Sequence, residues 1–251
     1  MSKTLIIILG TFILGLIIIK LRNRNTLPLY AEQRNFEPHE NEIAPNLESE
    51  NEDDGDTPLM NAIYEDAGPE EIKKLIDGGE SVNARNKKSF TPLMIAAQCC
   101  ENKEVFSVLL KSGAEINAAD KYGGTALIHA LFNNIPTEII SFLIENGSDV
   151  NRKDNEGLSP VIWAAQTAER TDIIDLLLKS GANINDADEN GYTVLMAAAD
   201  MNETEGMITF LIEKGANIKA VNKYGVNAMW YAKTSKNTSA IKELKAAGVK
   251  E

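Results

Sequence analysis

A short helix-opening motif returns six times along this chain at one fixed interval. It reads Thr57-Pro58-Leu59-Met60, Thr91-Pro92-Leu93-Met94, Thr125-Ala126-Leu127-Ile128, Ser159-Pro160-Val161-Ile162, Thr193-Val194-Leu195-Met196 and Asn227-Ala228-Met229-Trp230. Neighbouring copies are about 34 residues apart, and a fixed period in the 20–50 range marks an array of repeats instead of one globular core. Such an array buries its apolar surface between neighbouring units, so every unit must carry the same structural signals.

Thr or Ser at the first position of the motif accepts a hydrogen bond from an orphan N–H as helix N-cap. Pro at the second loses nothing, because its N–H would be unpaired there. The Leu and Ala positions that follow (Leu93, Ala96, Ala97; Leu127, Ala130; Leu195, Ala198, Ala199) predict a short helix with a face of small residues, which lets neighbours approach closely. A second helix is expected in each unit, with Glu70, Glu104, Glu138 or Asp172 near its start, where negative charge complements the helix dipole. Its apolar positions recur in register: Ile72, Phe106, Ile140, Ile174 and Ile208, then Leu75, Leu109, Leu143, Leu177 and Leu211. Gly79, Gly113, Gly147, Gly181 and Gly215 end it in the left-handed conformation. Asn-x-x-Asp-x-x-Gly stretches, as in Asn117 to Gly123, predict a projecting hairpin-like loop.

On these residues the unit resembles an ankyrin repeat: capped helix, antiparallel helix, Gly-Ala, β-turn finger. The resemblance spans residues 50–251 in six units and implies an all-α repeat fold, an ankyrin-repeat solenoid of helix-turn-helix units with β-turn fingers. Two departures stand out. One extra residue separates the helices (Cys99 to Lys103, Asn133 to Thr137, Thr167 to Thr171). The usual His slot of T-P-L-H-x-A holds Met60, Met94, Ile128, Ile162, Met196 and Trp230, which removes a polar brace of the loop. The last outer helix, expected over Ser239 to Ala247, mixes Lys242, Glu243 and Lys245 with Ile241 and Leu244, as a polar capping unit would. The expected array is therefore complete at six units and monomeric.

Three segments follow: a membrane anchor over 1–24, an acidic tether over 25–54 and the repeats over 55–251. Thr4 to Ile19 is a run without charge, flanked by Lys3 and by Lys20, Arg22 and Arg24. Sixteen residues reach about 24 Å as a helix, slightly short of the bilayer core, and snorkelling lysines cover the deficit. A secretory signal peptide would need a small-residue cleavage site, and a lipoprotein signal a Cys just after the run. A buried core helix would not be apolar all round between charged flanks. The reading is one uncleaved transmembrane helix, with the repeats placed in the cytoplasm by the basic downstream flank and an extracytoplasmic array as the alternative. The tether, with eight acidic side chains from Glu32 to Asp53 and three prolines, buries too little to order itself. Its Leu27, Leu29, Tyr30 and Phe36 could instead form a docking peptide.

A formal net charge of −12 excludes nucleic acid as a partner, because that binding needs a basic footprint. The only cysteines, Cys99 and Cys100, are adjacent, so a bridge between them would be strained. They read as small residues closing an inner helix, with a redox or metal role as the alternative. Asp186-Ala187-Asp188-Glu189-Asn190-Gly191 opens like a calcium loop, but the slot for the bidentate Glu holds Ala197. His39 and His129 are the only histidines, too few for a catalytic or metal constellation, and no phosphate-binding motif is present. The chain reads as a non-enzyme without cofactor or metal.

What remains is a surface. The resemblance implies that finger tips and the inner-helix face form a concave groove for a protein partner. Position by position, the tips are Arg85, Lys87, Lys88 and Phe90; Lys121 and Tyr122; Lys153, Asn155 and Leu158; Glu189 and Tyr192; Lys223 and Tyr224. Tyr64, Phe132 and Trp163 join them at the inner-helix ends. The expected role is a scaffold or localiser. An accessory or inhibitory subunit of a neighbouring enzyme is the alternative, and an enzyme with an unrecognised site the weaker one.

Overall fold

The computed structural model describes residues 55–168 and 171–249. The expected anchor (1–24) and tether (25–54) lie outside the described residues. Within them, no helix is long and apolar enough to cross a membrane.

Twelve helices form six antiparallel pairs among the described residues: α1 (Pro58–Tyr64) with α2 (Pro69–Asp77), α3 (Pro92–Cys99) with α4 (Lys103–Lys111), α5 (Ala126–Phe132) with α6 (Thr137–Glu145), α7 (Pro160–Thr167) with α8 (Thr171–Lys179), α9 (Val194–Met201) with α10 (Met207–Glu213), and α11 (Ala228–Thr234) with α12 (Thr238–Ala246). The first helices of successive pairs pack on one another throughout the array and form an inner layer. The second helices form an outer layer, with α2 on α4, α4 on α6, α6 on α8 and α10 on α12. A charge pair joins α8 to the end of α10: Asp175, midway along α8, pairs with Lys214, and within α8 with Lys179 at 2.7 Å.

Each helix starts and stops for a local reason. The hydroxyls of Thr57, Thr91, Thr125 and Thr193 accept from the N–H groups of Met60, Met94, Ile128 and Met196 at 3.3–3.4 Å, and Asn227 Oδ1 accepts from Trp230 N–H at 3.0 Å. Ser159 breaks the expectation: its hydroxyl makes no cap bond and is buried without a partner. Gly147, at φ 99°, shows the helix stop. Its N–H donates to Ile144 O and that of Ser148 to Leu143 O, both at 3.0 Å, which closes α6 in a Schellman motif. The last helix runs Thr238–Ala246, one residue earlier than the pattern suggests. The core is a continuous apolar seam between the layers, holding Ile72, Phe106, Ile140, Ile174 and Ile208 in one column and Leu109, Leu143, Leu177 and Leu211 in the next.

A third column binds unit to unit. Asn83 Nδ2 donates to Gly113 O (2.9 Å) while its Oδ1 accepts from Glu115 N–H (2.8 Å). Asn117 does the same to Gly147 O (2.9 Å) and Asp149 N–H (2.8 Å), and Asn185 to Gly215 O (3.2 Å) and Asn217 N–H (2.8 Å). Asn151 donates to Gly181 O at 3.3 Å. Each amide thus bonds the carbonyl of the glycine that follows the next unit's outer helix.

Candidate protein-binding surface

The fingers are built on one polar residue per unit: Asn86, Asp120, Asp154, Asp188 and Asn222. Asp120 Oδ1 accepts from the N–H groups of Tyr122 (2.7 Å) and Gly124 (2.9 Å). Asp154 holds Glu156 and Leu158 N–H groups, Asp188 those of Asn190 and Tyr192, and Asn222 those of Tyr224 and Val226, all within 3.1 Å. A reverse bond closes each loop, such as Asp154 N–H to Leu158 O at 3.1 Å. The fingers are therefore turns and not hairpins; the single bridge among the described residues joins Ala187 and Thr193.

The expected loss of a polar brace is corrected. The brace comes from the residue after the usual His slot. His129 Nε2 meets Asp120 Oδ2 at 2.9 Å, Trp163 Nε1 donates to Asp154 Oδ2 at 2.7 Å, and Asn222 Nδ2 donates to Tyr231 Oη at 3.0 Å. Burial pushes the Asp120 carboxyl up, but the bond and charge of His129 and the N–H groups of Tyr122 and Gly124 outweigh it, and its pKa sits below the usual value. These braces fix the fingers against the inner helices.

The same contacts gather aromatic rings on that face. Phe90 meets His129 edge-on at 5.1 Å between centroids, and Phe132 meets Trp163 at 5.7 Å. Tyr192 packs edge-on against Tyr231 at 5.1 Å, while Gln166 Nε2 donates to its hydroxyl, which donates to Asp200 Oδ2, both at 3.4 Å.

Models of ankyrin repeats match residues 29–120 and 118–188, and a model of the single repeat matches 190–223. The chain belongs to the ankyrin-repeat family. No curated protein matches it. One chain of a solved structure, described as the Bd0816 predatory endopeptidase from Bdellovibrio bacteriovorus in complex with immunity protein Bd3460, is 30% identical over 76% of this chain and 98% of its own, with a TM-score of 0.66. Ankyrin repeats bind protein partners, and that neighbour comes from a protein–protein complex.

Within the ankyrin array the sequence-derived tip residues divide into three groups. Lys87, Lys88, Lys121, Tyr122, Asn155, Glu189 and Lys223 are exposed, with Phe90 and Tyr224 half-buried. Arg85 and Lys153 are exposed but bridge to the next finger: Arg85 donates to Ala119 O, and Lys153 to Ala187 O, each at 2.7 Å, with Lys153 also 3.0 Å from Asp186. Leu158 and Tyr192, expected at tips, are buried at 3% and 4% exposure. The residue after the finger glycine pairs back to the finger base and feeds into the next inner helix, so it belongs to the core. Tyr64, Phe132 and Trp163 are half-buried at the inner-helix ends, and the fold brings Phe132 and Trp163 together.

The thiols of Cys99 and Cys100 form no disulfide and donate to Ile95 O (3.3 Å) and Asn102 O (3.7 Å). Burial, with Cys100 and Asp66 nearby, pushes the Cys99 thiol up to about 12, so it is a thiol and not a reactive thiolate near neutrality. Asp188 and Asp186 of the calcium-like stretch are engaged by finger N–H groups and by Lys153. Four structural asparagines (Asn83, Asn117, Asn151, Asn185) were readable only as turn formers. Their spacing of about 34 was the signal for the cross-unit ladder.

Proposed function

We propose that this ankyrin array recognises a protein through the face shared by its finger tips and inner-helix ends, as a scaffold or localiser held to a membrane by residues 1–24. The observation that carries the reading is the braced finger set. His129, Trp163 and Tyr231 hold the finger bases by side-chain bonds, and the tips they position present Lys and Tyr side chains outward. A rigid presentation of aromatic and cationic groups lowers the ordering cost of binding. The array works without chemistry of its own.

A photo-crosslinking residue at Trp163 or Tyr122 of the full chain, in the cells that make it, tests this against Glu145 on the outer layer. One protein trapped from the first two positions and not from the third is the expected result. Trapping from Glu145 alone would move the binding face and sink the reading. Protease accessibility of a tag after Glu251, in intact and then permeabilised cells, tests the placement. Cleavage only after permeabilisation is expected for a cytoplasmic array, and cleavage in intact cells would put it outside.

The neighbouring endopeptidase–immunity complex favours a second reading, an inhibitory subunit. If the trapped protein is an enzyme whose turnover falls when the purified chain is added, this reading replaces the scaffold. Unchanged turnover in a stable complex retains the scaffold.

A further inference from the structure

Among the described residues the outer layer breaks at one place. Each outer helix packs on its neighbour from α2 to α8 and again from α10 to α12, but α8 and α10 lack that packing. The cause is local. Helix α8 runs for nine residues from Thr171, whereas α10 has seven and starts only at Met207, after Gly206 in the left-handed conformation at φ 86°. A start in register with Thr171 would fall about 34 residues on, at Glu205. Helix α10 therefore lacks the half-turn in register with the start of α8.

The fifth unit is fastened forward. Glu243 of α12 accepts from Gly206 N–H (2.9 Å) and Thr209 N–H (2.8 Å), and Lys242 lies 3.8 Å from Glu205. Backward, Lys214 at the end of α10 reaches Asp175 of α8. Both members of this pair are partly exposed, and exposed ion pairs hold weakly and are screened by salt. Each also has a second partner. Asp175 has Lys179 at 2.7 Å, and the Lys214 ammonium lies 5.2 Å from the Phe210 ring centroid. Parting them leaves neither charge alone. The inner layer at this boundary is held differently. Asn202 Nδ2 donates to Ala165 O (3.0 Å) and Ala168 O (2.9 Å), α9 packs on α7, and its Ala197, Ala198 and Ala199 are fully buried. The Asn185 rung, with Gly215 O at 3.2 Å and Asn217 N at 2.8 Å, crosses here as well.

We propose that the boundary between the fourth and fifth units is a hinge, with the inner layer and the Asn185 rung as its pivot and the Asp175–Lys214 ion pair as its latch. When the latch parts, units five and six turn as one block against the first four, and the angle between two stretches of the inner face changes with them. Rotation of rigid blocks about a packed contact is a common switching motion. The hinge does not depend on what the inner face binds.

Double electron–electron resonance on the purified full-length chain tests it, with spin labels on unnatural amino acids at exposed positions so that Cys99 and Cys100 stay native. The pair Glu145 and Glu213 spans the hinge, while Lys111 with Glu145 and Glu213 with Lys245 each lie within one block. At low salt all three distance distributions of the wild type should be narrow. Lys214→Ala should widen the hinge-spanning distribution at least twofold and leave the other two unchanged. Salt at about 1 M, which screens charges beyond about 3 Å, should widen it in the wild type. Lys179→Ala keeps the latch and should match wild type. Circular dichroism checks that the variants are folded, and the salt measurement needs no variant. The hinge is overturned if the spanning distribution stays narrow in folded Lys214→Ala or in high salt, or if the pairs within a block widen as much. The assignment of the latch is overturned if Lys179→Ala widens it as Lys214→Ala does. Neither result touches the crosslinking at Trp163 and Tyr122, so the protein-recognition reading stands or falls separately.

Discussion

Single residues decide how firmly each finger is held. Asp120 shows the electrostatic part. Its carboxyl is depressed in the folded chain, so its stabilisation is complete above the unfolded value of about 3.9 and drains away as pH falls through the lower folded value. Asn occupies the same place at Asn86 and Asn222 and accepts the same two finger N–H bonds. Asp120→Asn should therefore keep the finger but lose the charged contact with His129. Urea denaturation between about pH 6 and 3 should show a stability gap from wild type that closes with acid. A constant gap would mean that charge plays no part. Ser148 shows the opposite case. Its hydroxyl is buried without a partner, where three other units place Ala114, Ala182 and Ala216. Ser148→Ala should stabilise by about 1 kcal/mol, visible as a rise of about 2–4 °C in Tm. At this scale the sequence was partly opaque. Thr125 and Ser159 look equivalent in the repeat, but only Thr125 makes the cap bond. Leu158 and Tyr192 follow polar turns and read as surface, though the loop closure draws them into the core.

Helices and the bonds between them form the next level. The helix α10 lacks a capping side chain of its own, because Gly206 stands at its N-cap. Glu243 of α12 supplies the cap from the neighbouring unit: it accepts from Gly206 N–H at 2.9 Å, Thr209 N–H at 2.8 Å, Thr209 Oγ1 at 2.9 Å and Ser239 Oγ at 3.0 Å. Burial pushes the Glu243 carboxyl up, but these bonds outweigh it and hold it below the usual range. Glu243→Ala should cost about 1 kcal/mol and speed amide exchange selectively at Gly206 and Thr209. Uniform acceleration across the array would refute a local cap. Asn117→Ala removes two bonds between units and should cost about 1–2 kcal/mol, measured as a lower urea midpoint at unchanged slope. The helices themselves were legible in the sequence, because Thr, Pro and Gly each act locally and repeat in register. The Glu243 cap and the asparagine ladder were not, since both join residues about a unit apart whose types suit several roles.

Across the whole molecule, stability is a chain of nearest-neighbour couplings. Leu127 is fully buried in α5, midway along the array, and Leu127→Ala should cost about 3 kcal/mol there. The two tryptophans, Trp163 beside α5 and Trp230 in α11, report on different stretches. In wild type, fluorescence and circular dichroism should follow one urea transition. In Leu127→Ala they should separate, as the weakened middle uncouples the ends; coincident curves would show that coupling exceeds the lesion. The repeat count was readable from the period, and the family from the period together with the helix-opening motif, the glycine stops and the Asn/Asp turns. Which tips stand exposed depended on how adjacent fingers touch, which no single repeat encodes.

The ladder and its companion bonds also set a schedule for making the protein. The side-chain hydrogen bonds that reach from one unit to the next span from 9 residues in the finger braces to 39 at most. Chains dominated by such short separations have low contact order and fold without long searches. As the polypeptide leaves the ribosome, each unit can dock as soon as the following one has emerged. Its apolar face then waits uncovered for only about one repeat of synthesis. The newborn chain can thus acquire its native form from the N-terminal unit onward, before its last residues exist.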